Sequence, residues 1–346
     1  LVTLDSLVFN VIFSLIAGKG YSIFALLFGF TFYIQFINQQ NKGYDFRGRF
    51  IWRLLILSAF ATINAAFFPG GDVLLLFVIT GFSLPLVCKM SNKAIFIIAL
   101  ICLLQPIELF HFISSLLNES YSIPSLNVGG LYEIVQEGVK RGNWKTFLLE
   151  NISTGQEASL LWAIGSGRFV QTIGLFLLGF LLSRKNLFVN SRENNQFWIK
   201  ALVISSILFG LLYPLKVEWY DNVKNTMLKS SIGTALDMWQ KLAFTLVILS
   251  SFITAYYNSS FKTILSKLKV YGRMSLTNYI SQSIIGAFIF FPIGLNLSPY
   301  LGYSASLIVG IFIFIFQLYI NHKWFQSHKQ GPLEKIWHKA TWIGHT

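Results

Sequence analysis

Charge is scarce in this chain. Only 12% of its 346 residues are Asp, Glu, Lys or Arg, about half the roughly 25% of a typical soluble domain. With 54% apolar residues and a mean hydropathy of +0.60, this excludes an ordinary soluble fold. It equally excludes intrinsic disorder, which needs low hydrophobicity and high net charge. Cysteine is nearly absent. Cys88 and Cys102 lie in or beside apolar runs with no second thiol or histidine nearby, so neither a disulfide scaffold nor a zinc site is expected, and both read as small packing residues. The five histidines are His111, His322, His328, His338 and His345, four of them in a basic tail. No nucleophile triad, metal cluster, phosphate-binding glycine loop or dinucleotide fingerprint occurs, which argues against a metal enzyme and an ATP-driven pump. Strict alternation of apolar and polar residues is missing too, so strands of a membrane barrel are not expected. The start of the chain has no charged segment followed by a small-residue cleavage site, so it is not a signal peptide.

What the chain has is long apolar runs. A membrane-crossing helix needs about 20 mostly apolar residues, and nine stretches qualify: 20–38, 50–68, 72–88, 94–114, 160–183, 197–215, 237–258, 274–293 and 300–321. The expected fold is therefore all-α, a polytopic transmembrane helical bundle forming a single domain over 1–346. The formal charge is +13, with 27 Lys and Arg against 14 Asp and Glu. On a soluble protein that would suggest nucleic acid. On this one it reads as basic loops facing anionic lipid, so membrane lipids are the expected partners and nucleic acid is not. Lys and Arg alternate with the loops: 39–53, 89–93, 184–200, 259–273 and the tail hold 18 of the 27, the other loops hold 7, and Arg168 and Lys241 fall inside runs. By the positive-inside rule the C-terminus is cytoplasmic.

The same alternation places residues 1–19 outside, so one more span is expected before Leu1, giving ten. Residues 5–17 form a short apolar stretch that reads as an interfacial or re-entrant helix. The segment 112–158, with Glu119, Glu133, Glu137, Glu150 and Glu157, reads as an extracytoplasmic loop, partly helical around 130–150 and long enough to cap an external cavity. Residues 322–346 read as a basic cytoplasmic tail carrying an amphipathic helix. No internal sequence repeat is evident.

Ionisable groups inside membrane runs are costly to bury and so point to function. Arg168, in Ser166-Gly167-Arg168-Phe169, either holds a substrate phosphate or carboxylate or forms a structural ion pair. Asp72, after Pro69-Gly70-Gly71, either caps a helix or serves as a base. Glu108 and His111, one turn apart, either relay a proton or pair with one another. Asp237 and Lys241 are spaced to neutralise each other. Asn278 and Gln282 share a helix face, where amides either join helices or meet substrate, and Asn64 is similar.

The C-terminal third resembles a known family. Gly272-Arg273-Met274-Ser275-Leu276-Thr277-Asn278-Tyr279, followed by Gln282-Ser283, and then Gln330-Gly331-Pro332-Leu333-Glu334-Lys335-Ile336-Trp337 with Thr341, resemble the two closing motifs of the YeiB family of bacterial membrane proteins. Phe24–Phe30, Gly71-Asp72-Val73-Leu74 and Gly174–Phe180 are similar to its earlier motifs. Where that family often has a histidine, this chain has Asn64. The YeiB family is similar in turn to a superfamily of ten-span membrane acyltransferases. The resemblance implies transfer of an acyl group from acyl-CoA to a sugar, lipid or other acceptor. No permanently bound cofactor or metal is expected.

On that reading Asp72 and Glu108 are the candidate catalytic bases. Arg273 would meet CoA phosphates, and Arg168, Asn64, Asn278 and Gln282 would contact substrate. A carrier or exporter of a small molecule or lipid, without acyl transfer, is the second reading. A structural membrane protein with no turnover is the third.

Overall fold

The apolar runs fold as helices. The computed structural model describes residues 2–344 other than Glu119 and Asn258, with no side chain described for Val2, Thr3, Ser259, Ser260 or Ile264, and the described residues contain no strand. The chain opens with α1 (Val2–Ile16), α2 (Lys19–Gln40), α3 (Arg47–Phe67), α4 (Leu74–Gly81) and α5 (Ser83–Val87). Then come α6 (Asn92–Leu103), α7 (Pro106–Leu117), α8 (Val128–Lys140), α9 (Trp144–Glu150), a π-turn (Asn151–Gly155), α10 (Gln156–Gly165) and α11 (Arg168–Arg184). The last part holds α12 (Arg192–Asn222), α13 (Thr226–Tyr257), α14 (Ser259–Ser266), α15 (Lys269–Gly272), α16 (Ser275–Phe290), α17 (Tyr303–Ser327) and α18 (Pro332–Thr341).

Helices that qualify as crossings by length and composition are fewer than the nine apolar runs. Among the described residues five stretches are helical, long and apolar enough to cross a bilayer: Leu4–Gln40, Arg47–Phe67, Arg192–Asn222, Thr226–Tyr257 and Tyr303–Ser327. Two bent pairs raise this to seven. α6 and α7 meet at 50°, and the helix Trp144–Gly165 meets α11 at 77°. The first bend sits at Gln105 (φ 58), ahead of a proline that disfavours helical geometry in the residue before it. The second sits at Gly167 (φ 70). Of the remaining runs, 72–88 gives only the short pair Leu74–Val87, and 274–293 gives the 16-residue α16. Sixteen residues rise about 24 Å, short of the ~30 Å hydrocarbon layer. These two segments are apolar largely because protein surrounds them: Leu74, Leu76, Phe77, Val78, Leu276 and Ile280 are all buried.

Residues 5–17 fall mostly within α1. A left-handed turn at Gly18 separates α1 from α2, and the two together make one apolar stretch of 37 residues, Leu4–Gln40. Its outer part is tied to the start of α17, where Asp5 Oδ1 accepts from the Ser304 N–H (2.9 Å) and hydroxyl (2.5 Å). The segment between α7 and α10 contains helices α8 and α9; Glu119 lies outside the described residues.

The centre of the bundle is the parallel pair α2 and α11. Ser22-Ile23 through Gly29-Phe30 recurs as Thr172-Ile173 through Gly179-Phe180, and the two copies pack on each other. A Cβ added at Gly29 would stand 2.7 Å from the Phe176 carbonyl carbon, and one at Gly179 would stand 2.7 Å from that of Leu26. Only glycine permits so close a backbone approach, the small-residue contact by which helices associate in lipid. Phe32, Phe50, Phe176 and Phe180 fill the space around this seam.

Contacts gather the basic segments at one end. Arg49 donates to the Thr341 carbonyl (2.8 Å) and Trp52 to that of Ala340 (3.0 Å). Arg273 donates to the Lys329 carbonyl (2.7 Å) and Arg184 to that of Met90 (2.9 Å). In the turn before α3, Arg47 hydrogen-bonds both carboxylate oxygens of Asp45 and holds that group down to about 2, with Lys89 adding to the effect. At the opposite end Tyr132 donates to the Gly70 carbonyl (2.9 Å), and Asn151 donates to that of Ala66 (3.1 Å).

Candidate functional site

A cavity of about 870 Å³ opens at the basic end between α2, α3, α4, α16 and α18. Its inner wall is apolar: Phe24, Leu27, Phe28, Leu57, Leu74 and Phe77. Its mouth carries Arg53, Arg273, Lys329 and His338 beside Gln35, Asn38 and Gln39. The size lies within the roughly 300–1,000 Å³ of pockets that enclose most of a small ligand.

The tail makes this cavity. Pro332 starts α18, and its fixed φ suits a first helical position. Glu334 then reaches α16. One carboxylate oxygen accepts from the Leu276 and Thr277 N–H groups (2.8 and 3.0 Å) and the other from the Thr277 hydroxyl (2.6 Å). That carboxylate satisfies the free N–H groups of a helix start and favours its positive dipole end. Trp337 donates to the Arg53 carbonyl (3.2 Å), and the Arg53 guanidinium lies 3.7 Å from the centre of the Trp337 ring. That guanidinium donates no hydrogen bond and joins no ion pair among the described residues. Gln35 Oε1 is likewise buried without a partner. The cavity thus combines a greasy interior with an unspent cation and an unspent acceptor.

The sequence-derived candidates fall into separate groups around this cavity. Arg273 is on its rim, stacked on Phe325 at 4.0 Å. Asn64 and Asp72 form a buried polar knot beside its inner end. Asn64 Nδ2 donates to Asp72 Oδ1 (2.8 Å), while Asp72 Oδ2 accepts the Leu75 N–H (3.1 Å) and caps α4. Ser283 donates to Asn64 Oδ1 (2.7 Å), and Ser159 donates to the Asp72 carbonyl (2.7 Å). Tyr279, which lines the cavity, faces Asn64, Asp72 and the Val73 backbone.

Asn278 and Gln282 lie elsewhere, in a network joining α15, α16 and α17. Asn278 donates to the Tyr271 carbonyl (3.0 Å), and Gln282 donates to the Tyr271 hydroxyl (2.7 Å) and to Gln317 Oε1 (3.0 Å). Gln317 in turn donates to Ser281 and to the Asn278 carbonyl. Glu108 is buried in the first turn of α7 with no hydrogen bond to a described residue. His111 does not pair with it and bonds the Tyr121 hydroxyl instead (2.6 Å). Asp237 is shared by Lys241 and Lys216. Arg168 lies at the far end of the bundle, over the rings of Trp162 and Tyr21 (4.3 and 5.1 Å to their centres).

Between the cavity and Arg168 stands a layer of rings. Phe77 contacts Phe24, Phe28 and Phe176 at 5.4, 5.7 and 5.2 Å between centres, and Tyr21 at 5.8 Å. Phe24, Phe28 and Phe77 face the cavity, and Tyr21 lies under Arg168. The sequence reading did not single out Arg53 or Gln35 as site residues. Arg49 and Arg53 are i, i+4 and so share a helix face, the one signal available for Arg53.

The C-terminal half of the chain matches a family of unknown function. The match, to the family model "Protein of unknown function (DUF418)", covers residues 182–344. Two similar proteins extend the likeness over nearly the whole chain. "Uncharacterized protein YxaH" of Bacillus subtilis (strain 168) is 24% identical over 334 residues, 95% of this chain and 80% of the relative. "Uncharacterized 39.9 kDa protein in amylase 3'region" of Bacillus acidopullulyticus is 23% identical over 345 residues, 98% of this chain and 84% of the relative. No solved structure matches the chain. The DUF418 match contains Arg273, Asn278, Gln282 and all of α18. Several apolar helices mark the protein as one of the membrane.

Proposed function

We propose that this protein binds an acylated anion in the cavity at its basic end and acts as a membrane acyltransferase. Acyl-CoA would be the donor, and a sugar, lipid or other acceptor would take the acyl group. The observation that carries the reading is the pairing of an apolar inner wall with the unpaired Arg53 at the mouth. An acyl chain buried there gains about 0.8 kcal/mol per methylene, and the guanidinium supplies a charge-assisted contact to a phosphate. The resemblance to the YeiB family and the ten-span acyltransferases supports the same reading. The alternation of basic loops supports it too, because on the positive-inside rule the cavity end would face the cytoplasm, where acyl-CoA is found.

Within this reading Tyr279 is the group best placed to touch the acyl end, with Asn64 and Asp72 orienting it from behind. Asp72 would act through Tyr279 rather than on substrate. Arg273 and Lys329 would extend the phosphate contact at the rim. The test is thermal unfolding of the purified chain with CoA and with a long-chain acyl-CoA. A ligand at 100 times its dissociation constant stabilises by about 2.7 kcal/mol. The acyl-CoA should raise the midpoint more than CoA does, and Arg53→Gln should weaken the effect. No response to either compound would overturn the reading.

A carrier of the same amphipathic ligands is the second reading, favoured by the ring layer between two cation-bearing ends. Phe77→Ala would thin that layer. Faster movement of a labelled lipid across proteoliposomes containing Phe77→Ala, with no acyl transfer by the wild type, would move the assignment to a carrier.

A further inference from the structure

At the end opposite the cavity mouth, α2 and α11 begin side by side. Each follows a glycine in the left-handed region, Gly18 (φ 78) and Gly167 (φ 70), and neither start has a side-chain cap. Two helix starts without side-chain caps, with the positive ends of two helix dipoles, therefore lie side by side, the Tyr21 hydroxyl donating to the Arg168 carbonyl (3.2 Å). Cations surround them. A Cβ on Gly18 would lie 3.3 Å from Lys241 Cδ and 3.4 Å from Arg168 Nη2. Lys19, only 5% exposed, donates one hydrogen bond, to the Ser14 carbonyl (2.7 Å). Lys241 and Lys216 share Asp237. The Arg168 guanidinium, held flat by Trp162 and Tyr21, donates no hydrogen bond to a described residue. Lys19, Arg168, Lys216 and Lys241 thus face the carboxylate of Asp237, and Glu108 bonds none of them.

Two buried neutral groups at the same place lack partners as well. Ser166 Oγ, beside Gly167, is one, and Gln105 Nε2 is the other. Gln105 is 1% exposed, with its Oε1 2.6 Å from where a Cβ of Gly167 would stand. Buried polar groups are normally satisfied, and buried cations normally paired. A pocket with surplus positive charge, two helix starts without side-chain caps, an unpaired fork of donors and two orphaned amide and hydroxyl groups is built for an oxyanion.

We infer that this pocket binds a phosphate group, with Arg168 as its bidentate ligand, Lys19 and Lys241 as flanking charges, and the starts of α2 and α11 as backbone donors. A phosphate suits the surplus better than a carboxylate, because it offers more acceptor oxygens and up to two negative charges. The phosphate comes either from a lipid headgroup or from a soluble phosphate ester, and both satisfy the same donors. The pocket stands independently of acyl transfer: its ligands are at the other end of the bundle from Arg53.

The test uses the full chain in an uncharged detergent, with Trp fluorescence as the readout because Trp162 lies against Arg168. Glycerol phosphate and inorganic phosphate form the soluble arm. Short-chain phosphatidylglycerol, set against the matching phosphate-free diacylglycerol, forms the lipid arm. Saturable binding in at least one arm is expected. Arg168→Gln should weaken it at least about tenfold, as loss of a charged hydrogen-bond pair does. Lys241→Met should also weaken it, and it keeps the test open if Arg168→Gln fails to fold. The exposed Lys185→Gln should bind as the wild type does. Binding in the soluble arm alone identifies a soluble ester as the source, and binding in the lipid arm alone identifies a headgroup. No binding in either arm, or wild-type affinity in both pocket variants, overturns the inference. A failure here leaves the acyl-CoA test untouched, since that test reads Arg53.

Discussion

The seam between α2 and α11 makes a quantitative demand on two glycines. An alanine methyl at position 29 would stand 2.7 Å from the Phe176 carbonyl carbon and 2.9 Å from its Cα, and one at 179 would stand 2.7 Å from the Leu26 carbonyl carbon. Ordinary contact begins near 3.4 Å. The carbonyl oxygens of Phe176 and Leu26 lie nearer still, so the backbones must part by more than the gap between 2.7 and 3.4 Å, and no flexible side chain is available to absorb that shift. Overpacking of this kind costs about 1–3 kcal/mol, and 2 kcal/mol changes the folded-to-unfolded ratio about thirtyfold. Gly210 and Gly310 provide the control, because a Cβ at either meets nothing within 4 Å. There alanine brings only its helix preference, up to about 1 kcal/mol in favour of folding. Thermal or denaturant unfolding in detergent, followed by tryptophan emission, should show Gly29→Ala and Gly179→Ala melting below the wild type. Gly210→Ala and Gly310→Ala should melt level with it or above. The double variant should lose less than the sum of its parts, since one separation relieves both clashes. If Gly29→Ala and Gly179→Ala unfold no earlier than Gly210→Ala, the close parallel crossing is wrong.

Three further outcomes follow from buried or paired groups. Asn64→Leu leaves the Asp72 carboxylate and the Ser283 hydroxyl without their shared partner and should cost about 1–3 kcal/mol; a stability equal to the wild type would remove the knot from the account. Glu334→Ala removes three hydrogen bonds that fasten α18 to α16, so limited proteolysis should cut the tail at least several times faster, and unchanged cleavage would mean other contacts hold α18. Asp45 is depressed to about 2 by Arg47. A depressed carboxyl stabilises the fold above its ordinary range and loses that contribution as pH falls toward 2. Because the pair is exposed the effect on stability should be small, but the carboxyl chemical shift should titrate near pH 2 and move upward in Arg47→Gln.

Composition was enough to read helices and a membrane, because long apolar runs have few other physical solutions. The crossings were harder to count, for a reason visible at Leu74 and Phe77: a segment buried in protein is as apolar as one facing lipid. Pro106 carried the signal for one bend. Gly167 carried one for the other only in hindsight, since a lone glycine within an apolar run is common. The cavity was illegible because its mouth joins Arg53 to Trp337, separated by most of the chain. In sequence Arg53 looks like one more loop cation and α18 like a helix for the membrane surface. Arg168 and Asp72 stood out as expensive residues, but their spacing in sequence said nothing of which partners they meet.

The layer of rings around Phe77 also bears on voltage. A membrane potential falls across the least polar part of the path between two aqueous sides. If water and ions reach the cavity at one end and the cation pocket at the other, nearly the whole drop is compressed into the depth of a few aromatic side chains. A charge moving only that far would exchange close to the full ~2.3 kcal/mol per 100 mV, so events at Tyr21 and Phe77 would feel the membrane field far more strongly than their small displacement suggests.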